Sequence, residues 1–212
     1  MKLARPAELL ADGRAPFVSS SYLDHLARTP PSNSPGLDIV YKRIGRSGSV
    51  VPAGTKAIAA AAGKVLSVRE TARGGVVIID VGQGLSLLYR HLQNPSVNAG
   101  DQVVVAEELA DIGHDPTDLQ KKRHLHFEVW LQGKRIDPGP LFEMLPSVRA
   151  GDAVTKKIAP GDVIRALTRG KRTAEMAVKK KGTAPTPTTA PAKGQGLWLL
   201  VIVGLLLMSS RN

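Results

Sequence analysis

The stretch RHLHFEVW, Arg123 to Trp130, puts two histidines at alternate positions inside an apolar run. With the two-residue period of a strand, His124, His126, Glu128 and Trp130 share one face, while Leu125, Phe127, Val129 and Leu131 share the other. One face reads as core and the other carries imidazoles. Such a pair can coordinate an ion, move protons, or sit solvated on a sheet surface. Two more polar residues lie in apolar, strand-like text: Asp38 in PGLDIV and His91 in LLYRHL. A hydrolytic zinc site needs three protein ligands and an open fourth position, with a base and an oxyanion donor close by. The chain has no cysteine, so disulfides are excluded and any metal must be held by His, Asp or Glu.

The elements that must position these residues read as β structure. From Ser34 to about Leu145 the runs AIAAAAGKVLSV, GGVVIIDVG, LSLLYRHL, QVVVAEELADIG and HLHFEVWLQGKRI are punctuated by Gly, Asn and Pro at short intervals. The expected fold is mainly β, an antiparallel sheet domain with a short helical extension and a C-terminal transmembrane helix. DPTDLQKK reads as a turn of helix before the histidine strand, and APGDVIRALTRG as a short helix capped by Asp162 and closed at Gly170. The expected divisions are an N-terminal segment 1–33, a β domain 34–145, a basic helical extension 146–178, a Pro/Thr/Ala-rich linker 179–195 and an anchor 196–210.

Charge and hydropathy then suggest partners. The net charge of +11 comes from 29 basic against 18 acidic residues, much of it in the last third and away from the histidines. That excess fits a tether to anionic surfaces. Nucleic acid is not the expected partner, because the β text offers no aromatic stacking platform. GLWLLVIVGLLLMSS, Gly196 to Ser210, is short against the roughly 20 residues of a spanning helix, but it has no polar stripe and follows an unfoldable linker. It is read as a membrane anchor. The first residues show no apolar stretch of signal-peptide length, so conventional secretion is not expected. Lys179, Lys180, Lys181 and Lys193 precede the anchor and Arg211 follows it, a bias that leaves the β domain on the cytoplasmic side. A bacteriophage virion with a lipid membrane is one place for a domain anchored in this way, and a bacterial tail-anchored protein is the alternative.

The order of motifs resembles the lysostaphin-like, or LytM-type, zinc endopeptidases that cut peptide cross-links of bacterial peptidoglycan. SPGLDI is similar to the family's first metal motif, His-x-Gly-x-Asp, and VPAGTKAIAAAAGKV to its Gly-Thr hairpin. The Tyr-x-His-Leu of LLYRHL, the Val-x-x-Gly-Asp of VNAGD and the closing HLHFEVWLQGKRIDP follow in the family's order. The resemblance runs from about Ser34 to Pro138. It implies a lysostaphin-like fold, one zinc ion with Asp38 and His126 as ligands, and His91 and His124 as residues that polarise water and stabilise the tetrahedral intermediate.

One position departs from the pattern. Ser34 stands where the family has its first ligand histidine, and a neutral hydroxyl is a poor zinc ligand. His25 in YLDHLAR is the nearest substitute by sequence, although a surface histidine is the default reading there; His114 in IGHDPTD is a more distant one. Two functions follow as expectations. One is a membrane-anchored peptidoglycan endopeptidase. The alternative is a non-catalytic member of the fold that binds cell wall or regulates a hydrolase.

Overall fold

Runs rich in Val, Ile and Leu favour a pleated backbone, and the glycines between them allow tight reversals. A computed structural model of the chain describes residues 1–117 and 122–180. It opens with strand β1 (Phe17–Ser20) and helix α1 (Tyr22–Ala27), then β2 (Leu37–Lys42), β3 (Ser49–Val50) and β4 (Lys56–Ile58). Three long strands follow: β5 (Gly63–Thr71), β6 (Gly74–Gly82) and β7 (Leu85–Gln93). After β8 (Gln102–Val103) and β9 (Glu108–Ile112) comes the histidine strand β10 (Leu125–Leu131), paired with β11 (Lys134–Ile136). Helices α2 (Gly139–Phe142) and α3 (Pro160–Lys180) end the described chain.

The strands pair antiparallel along the order β1-β2-β10-β7-β6-β5-β8, so the mainly β, antiparallel expectation agrees with the structure. The strands that carry Asp38, His126 and His91 are adjacent: β2, β10 and β7. Register does the rest, because His126 lies directly opposite Asp38 on one side and Arg90 on the other. The alternation read in the sequence is real, with Leu125, Phe127, Val129 and Leu131 all in the main core. Its polar face differs from expectation, since His126 and Glu128 are buried as well. Helix α1 and the side chain of Arg135 on β11 cover that face.

Several boundaries move. Residues 1–33 are stitched into the domain: β1 pairs with β2, the Met1 ammonium donates to the Ile158 carbonyl at 2.8 Å, and the Arg5 guanidinium donates to Leu145 and Pro16 carbonyls at 3.1 and 2.8 Å. The segment after residue 145 packs back in the same way through Val154, Ile158, Val163, Ala166 and Leu167. The expected stop at Gly170 is not a stop, because α3 continues to Lys180. Gly170 serves close approach instead: a Cβ there would overlap the Asp137 backbone carbonyl, and the Asp137 amide donates to the Gly170 carbonyl at 3.1 Å. Gly170→Ala should therefore lower stability by about 1–3 kcal/mol through overpacking, read as a lower denaturant midpoint; an unchanged midpoint would mean that the helix does not dock there.

Among the described residues no helix is long and apolar enough to cross a membrane. The proposed anchor 196–210 and all of the linker except Lys179 and Lys180, which end α3, lie outside the described residues. Of the DPTDLQKK stretch, Pro116 and Thr117 form a turn, tied where Asp115 Oδ1 accepts from the Thr117 amide and hydroxyl at 3.0 and 2.6 Å. The centre of that stretch is likewise outside the described residues.

Candidate active site

Asp38 is the centre of the site. Its Oδ1 lies 2.9 Å from His126 Nδ1, 3.1 Å from His25 Nε2 and 3.8 Å from His124 Nε2. Arg28 Nη2 donates to its Oδ2 at 3.1 Å. Burial alone would raise the Asp38 pKa, but hydrogen bonding with His126 and His25 holds it well below the usual carboxylate range.

His25 is not a surface histidine. It is 1% exposed, and its ring packs edge-on against His126 with centroids 5.1 Å apart. The local sequence explains why. Ser20 pairs with Asp38 across β1 and β2, and Ser21 then caps α1. In that capping box Ser21 Oγ accepts from the Asp24 amide at 3.2 Å, while Asp24 Oδ2 accepts from the Ser21 amide at 2.7 Å. The first turn of α1 therefore folds back over Asp38, carrying His25 with it. The capping pattern Ser21-x-x-Asp24 was present in the sequence and is the signal that could have found this helix.

His25, Asp38 and His126 offer ligand atoms that all lie within 4.8 Å of one another. The remaining ring nitrogens are held from outside. His25 Nδ1 donates to the Ser21 carbonyl at 2.9 Å, which leaves Nε2 turned to Asp38. His126 Nε2 donates to Glu128 Oε1 at 3.3 Å, which turns Nδ1 to Asp38. A ligand imidazole that gives its second N–H to a carbonyl or carboxylate is the usual way to fix the metal-facing nitrogen. Two imidazoles and one carboxylate suit zinc, whose entry would displace the proton bridging His126 to Asp38. The donor set therefore fits the ion.

Glu128 was overlooked in the sequence, although alternation placed it on the imidazole face. It is 0% exposed and accepts from four neighbours: Arg90 Nε at 3.1 Å, Arg135 Nε at 2.6 Å, Trp130 Nε1 at 2.8 Å and His126. Burial would push its pKa up, but hydrogen bonds from His126 and Arg135 bring it down to about 2. The same contacts act on His126: burial opposes its charge, while Asp38 and Glu128 outweigh burial and move its pKa upward.

His91 and His124 stand together on the other side, ring centroids 4.6 Å apart. Their Nδ1 atoms donate to the Arg73 and Lys122 carbonyls at 2.8 and 2.9 Å. His91 owes its place to a β-bulge: Leu92 pairs with Gly75 and Arg90 with Val76, so His91 is the extra residue, at φ 61°. Glycine suits position 74, where φ is 83° and a Cβ would crowd the His91 Cα at 3.3 Å. Burial and the neighbouring His124 push the His91 imidazole down to about 4, so it is neutral at pH 7.

The remaining candidates fall outside the cluster. Ser34 lines the same cleft, but its hydroxyl accepts from Arg135 Nη2 at 3.3 Å. His114 is not a member of the metal-capable group. The cleft, about 560 Å³, is walled by the four clustered histidines, Asp38 and the 30–34 loop, with Arg28, Arg73 and Arg90 at its sides.

Residues 48–138 match peptidase family M23. The match takes in His91, His124 and His126 and begins after His25, Ser34 and Asp38. A curated relative, the lipoprotein NlpD/LppB homolog of Pseudomonas aeruginosa, is 36% identical over 87 residues, 40% of this chain. The aligned stretch spans only 28% of that relative's length. A chain of the SpoIIIAH and SpoIIQ complex shares the fold at TM-score 0.52 and 21% identity, over 66% of this chain and 99% of its own. Lysostaphin, an antimicrobial peptidase from Staphylococcus simulans, does so at TM-score 0.51 and 19% identity, over 74% of this chain and 60% of its own.

Proposed function

Since the chain carries a peptidase family M23 domain, we propose that it is a zinc endopeptidase acting on peptide cross-links of peptidoglycan, with His25 in place of the ligand that position 34 lacks. The observation that carries this reading is the convergence of His25 Nε2 and His126 Nδ1 on Asp38 Oδ1, each ring fixed by an outside partner. A non-catalytic reading rested on Ser34, and the position of His25 supports the hydrolase instead.

In this reading His25, Asp38 and His126 hold the ion. When bound, zinc supplies Lewis acidity that polarises water and the scissile carbonyl near neutral pH. Glu128 and the Ser21 carbonyl keep the ligand rings from turning. His91 and His124, anchored at Nδ1, accept at Nε2 the proton that water gives up and return it to the departing amine. While protonated, either imidazole is a donor to the developing oxyanion. The apolar segment Gly196–Ser210 is proposed as the tether to a cell or virion membrane, with the lysines before it near anionic headgroups.

Purified peptidoglycan tests the reading. The full chain in detergent should release new amino groups when supplied with zinc and stop releasing them after chelation. A zinc-loaded chain that binds peptidoglycan and liberates none would overturn the hydrolase in favour of a binding module.

A further inference from the structure

Charge around the cleft is uneven. Of its three arginines, two are committed to buried carboxylates, Arg28 Nη2 to Asp38 Oδ2 and Arg90 Nε to Glu128 Oε1, each at 3.1 Å. Arg73 is different. Its side chain is 63% exposed, and Nη1 lies 3.8 Å from Asp115 Oδ2, beyond hydrogen-bond length. Asp115 meanwhile spends Oδ1 on the Thr117 amide and hydroxyl. Among the described residues Arg73 is thus the cleft arginine whose guanidinium faces its carboxylate, Asp115, at ion-pair distance without a hydrogen bond, which leaves its fork able to take a ligand carboxylate.

The backbone beneath that guanidinium is fixed. The Arg73 amide donates to Thr71 Oγ1 at 3.1 Å, and the Thr71 hydroxyl donates to the Gly74 carbonyl at 2.7 Å, closing the β5–β6 turn. The Arg73 carbonyl is the acceptor for His91 Nδ1. A side chain rooted on the group that anchors His91 can reach a ligand bound beside His91. An open arginine fork recognises a carboxylate with two parallel charge-assisted hydrogen bonds, and a carboxamide far less well.

We propose that Arg73 is a carboxylate-binding subsite, and that the peptide taken into the cleft carries a free carboxylate on a residue next to the amide to be cut. The identity of the ligand as a cross-link peptide rests on the peptidase reading; the demand for a carboxylate rests on Arg73 alone. Arg73 is thus a specificity-determining residue, separate from the histidines that act on the bond.

Calorimetric titration of the full chain in detergent, with and without zinc, tests this. The probes are two synthetic peptides with blocked termini and one target amide, identical except that the residue next to that amide carries a free carboxylate in one and a carboxamide in the other. Wild type should bind the carboxylate form about tenfold tighter, the worth of one charged hydrogen-bonded contact. Arg73→Gln should abolish that preference by weakening the carboxylate form only, and Arg73→Lys should retain part of it. Equal binding of the two peptides by wild type, no binding of either, or a preference undiminished in Arg73→Gln would overturn the subsite. Zinc content of the same samples separates the two readings: a chain that takes up no zinc yet keeps an Arg73-dependent preference loses the peptidase and keeps the subsite.

Discussion

His25→Ala should strip the chain of tightly held zinc and of peptidoglycan hydrolysis with it. Only Asp38 and His126 would be left in the group of three, so the loss of affinity should exceed the roughly 10- to 100-fold seen when a mere supporting contact is damaged. Titration against a competing chelator reads the affinity, and release of amino groups reads the activity. Because His25 is buried and packs on His126, the metal-free variant should be compared with the metal-free parent in a thermal melt. A similar melting temperature with lost zinc assigns the effect to ligation, not to packing. Ser34→Ala should keep its zinc, because the Ser34 hydroxyl is engaged by Arg135. Ser34→His, for the same reason, should bring no gain to a site already filled.

His124→Ala should fail in the opposite way, keeping its zinc while turnover falls by about 10²- to 10⁴-fold, the usual worth of a positioned acid or base. Its Nε2 reaches Asp38 Oδ1 only at 3.8 Å, against 2.9 and 3.1 Å for His126 and His25, so it stands beside the ligand group without joining it. Metal analysis and single-turnover hydrolysis on one preparation give both quantities. If zinc leaves together with activity, His124 is a ligand and the division of roles is wrong.

Part of this was legible in the sequence. Asp38 and His126 interrupt apolar strand text, and period-two alternation puts His124, His126 and Glu128 on one face. Burial of that face was not legible, because it depends on a short helix and an arginine arriving from elsewhere in the chain. His25 shows the limit best. A six-residue helix has too few turns to display an apolar period, and its one local mark is the Ser21–Asp24 capping box. His91 was found by type, but the bulge that turns it into the cleft is a property of the β6–β7 register. Gly170 was misread for a related reason: glycine marks a helix end or a close approach equally well, and only the position of Asp137 decides between them. Ser34 departs from the motif that the resemblance implies, and what stands in its place near Asp38 depends on where α1 lies.

The most direct measurement is an anomalous difference map, recorded at the zinc edge, from crystals of the zinc-loaded full chain. A single peak within bonding distance of His25 Nε2, Asp38 and His126 Nδ1, about 2.0–2.2 Å from each, is the predicted result. A peak bonded to Ser34 or His124 while His25 points away, or no peak at this cluster in crystals whose solution binds one zinc per chain, would contradict the assignment of His25 as the missing ligand.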